Sequence, residues 1–261
     1  MFTIGSNIVG AELDHPDNVG LAFSLVGLSP WDGGNTLYDL TGKTAGAALG
    51  GGAAWAGTAD GTAGVTGGIT ATIPYLGYAP GVSFGASWWF AFTFRPVTYP
   101  NSFNPVVDDA ARLLSGFVGP GGVPSFGYAQ WGTLALGGTY RIVRTYQSTG
   151  TQLVGGAERL YVNGARTGGG ATDTTWSAAF ALSFGGNPSG GGGAFTAVYS
   201  RIEFGSGRAI TDAGAARDYE GSRDAHRDPR FRRLSTRSMF VTAAGVPAAC
   251  YVPAFAPGWG W

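Results

Sequence analysis

Residues 139–164 read TYRIVRTYQSTGTQLVGGAERLYVNG, and this stretch decides the fold. It holds two β-rich runs joined by a connection of Gly, Ser, Thr and Gln. Tyr140 to Tyr146 is dense in aromatic and β-branched residues, which suit a pleated, half-buried surface. In the second run, alternation from Arg159 to Asn163 places Leu160 and Val162 on one face. Asn163-Gly164 then supplies the pair of residues that tolerates positive φ in a two-residue turn. The pattern predicts a central hairpin with a further strand following Gly164 at once.

Working outward, Ser87 to Arg95 reads SWWFAFTFR, with large apolar side chains at both odd and even positions. That is the pattern of a strand covered on both faces, stopped by Pro96. Ile69 to Pro80 also has strand character, but Pro74 and Pro80 favour an edge position. Gly46 to Gly68 is nearly all Gly, Ala and Thr around Trp55, the composition of a loop or of weak strands. Strands are expected at Ser125 to Leu136, ending in the Gly137-Gly138 turn, at Ala179 to Gly186 and at Phe195 to Phe204. A short helix is expected up to Tyr219, capped by Thr211 or Asp212. Asp39 is explained by an Asx-type turn.

Several of these phrases resemble the laminin-G-like, concanavalin-A-like jelly-roll family. Arg159-Leu160-Tyr161-Val162-Asn163-Gly164 is similar to that family's "lYvNG" hairpin, with Tyr140 where the preceding strand usually carries Trp. Leu37-Tyr38-Asp39-Leu40-Thr41-Gly42, the 87–95 strand, Arg112-Leu113-Leu114-Ser115, residues 179–186, 195–204 and 209–219 resemble its other motifs in order. The resemblance spans about residues 20–220 and implies an all-β, concanavalin-A-like antiparallel β-sandwich (jelly roll) with an extended C-terminal arm. The corresponding division is an N-terminal lead (1–19), the sandwich (20–221) and an arm (222–261) that is first Arg-rich, then apolar. In the lead, Phe2, Ile4, Ile8 and Val9 can pair as an edge strand.

Composition removes several function classes. The chain has 261 residues, 44% hydrophobic and 12% charged, so it is not a disordered polymer, and its 47 glycines lack a collagen period. Acidic and basic residues balance at 16 each, with Lys43 the one lysine, so there is no global pull toward nucleic acid. The single cysteine, Cys250, cannot form an internal disulfide. With His15 and His226 the only histidines, no Cys/His metal site and no cofactor are expected. The first residues, MFTIGSNIVGAELDHPD, have neither a basic n-region nor an apolar h-region, so no secretory signal is expected.

Glycosidases in this fold class need paired carboxylates, and the acidic residues here are scattered. Glu203 reads as a capped or solvent-facing structural carboxylate, and no catalytic residue is expected. Asp108-Asp109 reads as an exposed acidic loop rather than a calcium site, since no further Asp/Asn cluster lies nearby. Glycines 190–193 lack the ending of a phosphate loop and read as a flexible turn. Trp88, Trp89 and Phe90 read as core. Trp31, Trp55 and Trp131, in polar Gly-rich surroundings, are the candidate glycan contacts, with packing the plainer alternative. In the arm, Met239 to Ala256 approaches the length of a membrane span, but Pro247 and Pro253 interrupt it, so no membrane partner is expected. A packing arm fits better. Its candidate assembly contacts are Arg230, Arg232, Arg233 and Arg237, followed by Phe240, Tyr251, Phe255, Trp259 and Trp261.

A lectin-like sandwich without a signal, disulfides or a catalytic constellation, followed by such an arm, resembles the lectin-like proteins of tailed bacteriophages. The similarity extends loosely to residues 234–241, LSTRSMFV. It implies a non-enzymatic virion protein assembled in the host cytoplasm, a capsid decoration or tail-associated. Its expected partners are other virion proteins, copies of itself and surface glycans. A free glycan-binding module and, below that, a glycoside hydrolase are the alternatives.

Overall fold

The computed structural model describes residues 8–26, 36–44, 46–49, 54–58, 63–66, 69–73, 87–100, 104–109, 116–126, 129–130, 132–147, 156–172, 180–184, 197–225 and 227–233. In chain order the first strands are β1 (Ile8–Ala11), β2 (Leu21–Leu25), β3 (Thr36–Leu37), β4 (Ala47–Leu49), β5 (Trp55–Gly57), β6 (Ala63–Thr66) and β7 (Ile69–Ile73). β8 (Trp88–Pro96), β9 (Asn104–Asp109), β10 (Gly116–Val118), β11 (Pro124–Phe126) and β12 (Ala129–Gln130) follow. The last group is β13 (Tyr140–Gln147), β14 (Gly156–Val162), β15 (Ala165–Thr172), β16 (Phe180–Phe184) and β17 (Ala197–Ser206), then helix α1 (Asp212–Ser222) and β18 (Phe231–Arg233).

The chain is an all-β antiparallel sandwich. One sheet runs β12-β11-β10-β9-β16-β7-β4-β3 and the other β15-β14-β13-β8-β17-β6-β5. β17 is long enough to hold two partners in tandem on one edge, β6 through Val198 and Tyr199 and β2 through Ile202 to Gly205. The hairpin is formed as expected: Ile142 pairs with Val162 and Gln147 with Ala157, and Asn163 (φ 50°) and Gly164 (φ 78°) turn the chain into β15. It is not the centre of the sheet, however. That place belongs to β8, held between β13 and β17.

β8 explains the layering. Trp88, Phe90, Phe92 and Phe94 face the other sheet, from which Phe184 meets them, and share the main core with Tyr199, Ile142 and Leu160 of their own sheet. Phe92 contacts Phe94 at 5.7 Å and Phe184 at 5.6 Å between ring centroids, within the range of favourable aromatic pairs. Trp89 and Ala91 point the other way, into a second cluster with Val143, Tyr161, Ile210 and Ala215. That outer face is covered by α1 and by a small two-stranded sheet of β1 and β18. Thr211 caps α1, accepting from the Gly214 amide at 3.1 Å.

Two expectations are corrected here. β7 is not an edge: Ile69 to Ile73, which contain no proline, pair with β16 on one side and with β4 on the other. The domain does not stop at residue 221 either. β18 pairs with β1, and the Asn18 amide nitrogen donates to the carbonyls of Glu12 (2.8 Å) and Arg230 (2.9 Å), stitching the ends to each other on the outer face.

Candidate functional site

The outer face of β13 and β17 is where the polar chemistry of the molecule is concentrated. Alternation along β17 would send Arg201 into the core beside Tyr199. A bulge prevents this: the register with β8 slips between Ser200 and Glu203, Arg201 takes φ 51°, and Ile202 returns to the core. Arg201 and Glu203 therefore reach the outer face, where Arg141 of β13 meets them.

Three arginines and three carboxylates close into one buried network there. Arg141 holds Asp218 of α1 with a two-pronged contact, Nε to Oδ2 at 2.7 Å and Nη2 to Oδ1 at 2.9 Å. It also ion-pairs with Glu203 and donates to the Arg201 carbonyl at 2.6 Å. Arg230 bridges Asp218 (2.5 Å) and Asp228 (2.7 Å). Arg201 pairs with Asp228, donates to the Gly221 carbonyl at 2.8 Å and lies over the Phe231 ring at 4.9 Å. All six side chains are at most 5% exposed.

Burial by itself would raise the carboxyl of Asp218, but Arg141 and Arg230 beside it hold it far below the usual carboxylate range. Asp228 is held down in the same way, against burial, by Arg230 and Arg201. Burial would ease the proton off Arg141, yet Asp218 and Glu203 fix its charge. The network joins β13 and β17 to α1, Asp228 and Arg230, an arrangement suited to clamping these later segments onto the sheet. A second buried pair, Arg144 with Glu158, lies at the opposite face of β13 and β14, where Glu158 Oε2 has no hydrogen bond.

Above this network lies an open groove of about 1010 Å³. Asp228 and Arg230 form part of its floor and α1 with Arg223, Asp224, Arg227 and Pro229 a wall, while the Asn163-Gly164 turn, packed against α1, and Ala165 also line it. His15 and Asp17 sit at one end. His15 Nδ1 accepts from the Asp17 amide at 3.2 Å, and Arg217 grips the Asp17 carboxylate at 2.8 and 3.1 Å. That hydrogen bond from Arg217 lowers the Asp17 carboxyl against the opposing effect of burial. At the rim, Arg223 reaches Glu220 at 3.5 Å and Arg227 reaches Asp224 at 3.3 Å, contacts that contribute little at such exposure. Tyr219 lines the same wall, with Arg223 over its ring at 6.0 Å.

The residues picked from sequence are distributed differently. Trp55 is half-buried on β5 and packs against the main core, while Trp31 and Trp131 lie outside the described residues. Arg230 is corrected: at 4% exposure, bound to Asp218 and Asp228, it serves the body and not a neighbour. Arg232 and Arg233 are exposed, although Arg233 donates to the Asp228 carbonyl at 2.7 Å. Arg237, Phe240, Tyr251, Phe255, Trp259 and Trp261 lie outside the described residues. Glu203 is structural but neither capped nor solvent-facing, being 1% exposed and ion-paired. Among the described residues no group of His, Cys, Asp and Glu is placed to hold a metal ion. The groove was missed, although residues 217–227 carry charges at spacings of three and four, the signal of a charged helix face.

No protein-family model matches this sequence, and no curated protein matches it. Solved structures do share its fold. A sialidase of Trypanosoma rangeli superposes with a TM-score of 0.55 at 15% identity, over 77% of this chain and 33% of its own. The receptor binding domain of botulinum neurotoxin D gives 0.55 at 10% identity, over 78% of this chain and 53% of its own. The binding domain of Paraclostridial Mosquitocidal Protein 1 gives 0.53 at 12% identity, over 77% and 52%. The chain thus spans about a third of the sialidase and about half of the two binding domains. The likeness is one of fold alone.

Proposed function

We propose that this chain is a non-enzymatic structural protein of a tailed-phage virion, a capsid decoration or tail-associated protein. Its lectin-like sandwich is displayed outward, and residues 234–261 attach it to other virion proteins or to further copies of itself. The observation that carries this reading is the placement of the ends. Because β18 pairs with β1 on the outer face and ends at Arg233, the described body is closed where residues 234–261 begin. That segment contains Arg237, Phe240, Tyr251, Phe255, Trp259 and Trp261, the residue types that anchor interfaces. The absence of turnover is supported by the carboxylates: Glu203, Asp218 and Asp228 are each spoken for by an arginine in an enclosed network. A zero net charge argues against a nucleic-acid partner. No helix among the described residues is long and apolar enough to cross a membrane.

The test is the solution mass of the full chain and of a chain ending at Arg233, by light scattering. A defined oligomer that becomes a folded monomer on removal of residues 234–261 supports attachment through them. An oligomer unchanged by that removal, or two monomers that do not co-sediment with phage particles, overturns it.

A second reading, a glycan-binding module, is favoured by a different observation. The fold is shared with the receptor binding domain of botulinum neurotoxin D and the binding domain of Paraclostridial Mosquitocidal Protein 1, and it presents an open polar groove. Two monomers of which the full-length one binds sugar would put this reading first.

A further inference from the structure

We infer that the groove lined by α1, the Asn163-Gly164 turn and Arg223, Asp224, Arg227, Asp228 and Pro229 is a binding site for a neutral, hydroxyl-rich glycan. This rests on the glycan-binding reading and gives it a place and a ligand class.

Charge decides the class. The groove is lined by four arginines and four carboxylates, so it offers no net field to a polyanion, and every exposed rim guanidinium has a carboxylate beside it that would repel one. A neutral polyol meets the opposite situation. Each hydroxyl both donates and accepts, and it is satisfied where a guanidinium and a carboxylate stand side by side. Arg223 with Glu220 and Arg227 with Asp224 are such pairs, separated by 3.5 and 3.3 Å, loose enough for a hydroxyl to bridge with little loss of the existing contact.

Shape points the same way. Ala165 and Ala216, both exposed, carry nothing beyond a Cβ where they line the groove. Tyr219 is the aromatic surface along it. The volume of about 1010 Å³ sits at the upper end of the range for small-molecule pockets, about 300–1,000 Å³, which suits several linked sugar rings better than one. The floor is rigid. Asp228 and Arg230, 1% and 4% exposed, are fixed from beneath by Arg201 and Asp218, so part of the site is organised before a ligand arrives.

The experiment titrates the full chain with maltohexaose, cellohexaose, laminarihexaose, mannohexaose and chitohexaose, and with a heparin hexasaccharide as the polyanion, by calorimetry and saturation-transfer NMR. The expected result is binding of at least one neutral hexasaccharide in preference to heparin. Glu220→Gln and Arg227→Met, both at exposed positions and therefore neutral to melting temperature, should each weaken it about fivefold, the loss of one ordinary hydrogen bond. Preference for heparin overturns the neutral class. Binding that neither variant weakens overturns the groove while leaving the glycan-binding reading in place. No binding of any sugar overturns both and leaves the virion structural role untouched.

Discussion

Asp218 is the residue on which the outer face turns, since it receives both Arg141 and Arg230. Its replacement by Ala leaves two buried guanidinium groups short of a partner. The expected loss is about 3–5 kcal/mol, read as a lower urea midpoint at unchanged slope. Acid should act through the same groups. Asp218 and Asp228 have folded-state values depressed below the unfolded value near 4, so their contribution is complete above about pH 4 and is lost as pH falls below it. Urea midpoints measured from pH 6 to pH 2 should drop below about pH 4, and Asp218→Asn should flatten that drop. A neighbouring position tests packing instead of charge. A Cβ on Gly205 would lie 2.2 Å from Trp89 Nε1, inside a filled cluster, so Gly205→Ala should destabilise by about 1–3 kcal/mol.

Some residue roles were legible in the sequence and others were not, for a physical reason. The Asx turn was readable because it is local: Asp39 Oδ1 accepts from the Thr41 amide at 2.9 Å, two residues on. The network was not, because its partners are far apart along the chain, Arg141 and Asp218 by 77 positions and Arg141 and Glu203 by 62. The bulge at Arg201 hides it further, since strict alternation gives the wrong face for everything on one side of it.

At the scale of elements, the turn at Asn163-Gly164 joins β14 to β15 and also abuts α1. A Cβ on Gly164 would come within 3.1 Å of Ala216 and Tyr219, at a φ of 78°. Gly164→Ala should therefore cost about 1–2 kcal/mol for the backbone alone and displace α1, which the chemical shifts of Tyr219 would report. Thr211→Ala, removing the cap, should lower stability by about 1 kcal/mol without moving the turn. Strong periodicity and turn chemistry made β8, β13, β14, β17 and α1 readable. Strand order was not, because neighbours in a sheet are chosen by tertiary packing; hence β7 was expected at an edge and lies inside.

For the molecule as a whole, the segment between α1 and residue 233 is a structural closure. A chain ending at Asp228 lacks Arg230 and Phe231, leaving Asp218 with one arginine fewer and the ring over Arg201 missing. It should melt well below a chain ending at Arg233, by several kcal/mol, as differential scanning calorimetry would detect. The composition shift after residue 221 looked like a domain boundary because arginine is usually a surface residue. Here Arg230 is core, and nothing in its local sequence distinguishes it from Arg232.

The pairing of β1 with β18 has a mechanical consequence. Ile8 faces Arg233 and Ala11 faces Phe231, so the segments before residue 8 and after residue 233 leave from the same end of a two-stranded ribbon. Tension drawn between those two segments loads the ladder in the unzipping direction, one pair at a time, instead of shearing it as a unit. The ribbon would part easily until the pull reached Arg230, where the ion network takes the load. A pull on both segments at once would first part a ribbon of three residue pairs and spare the body.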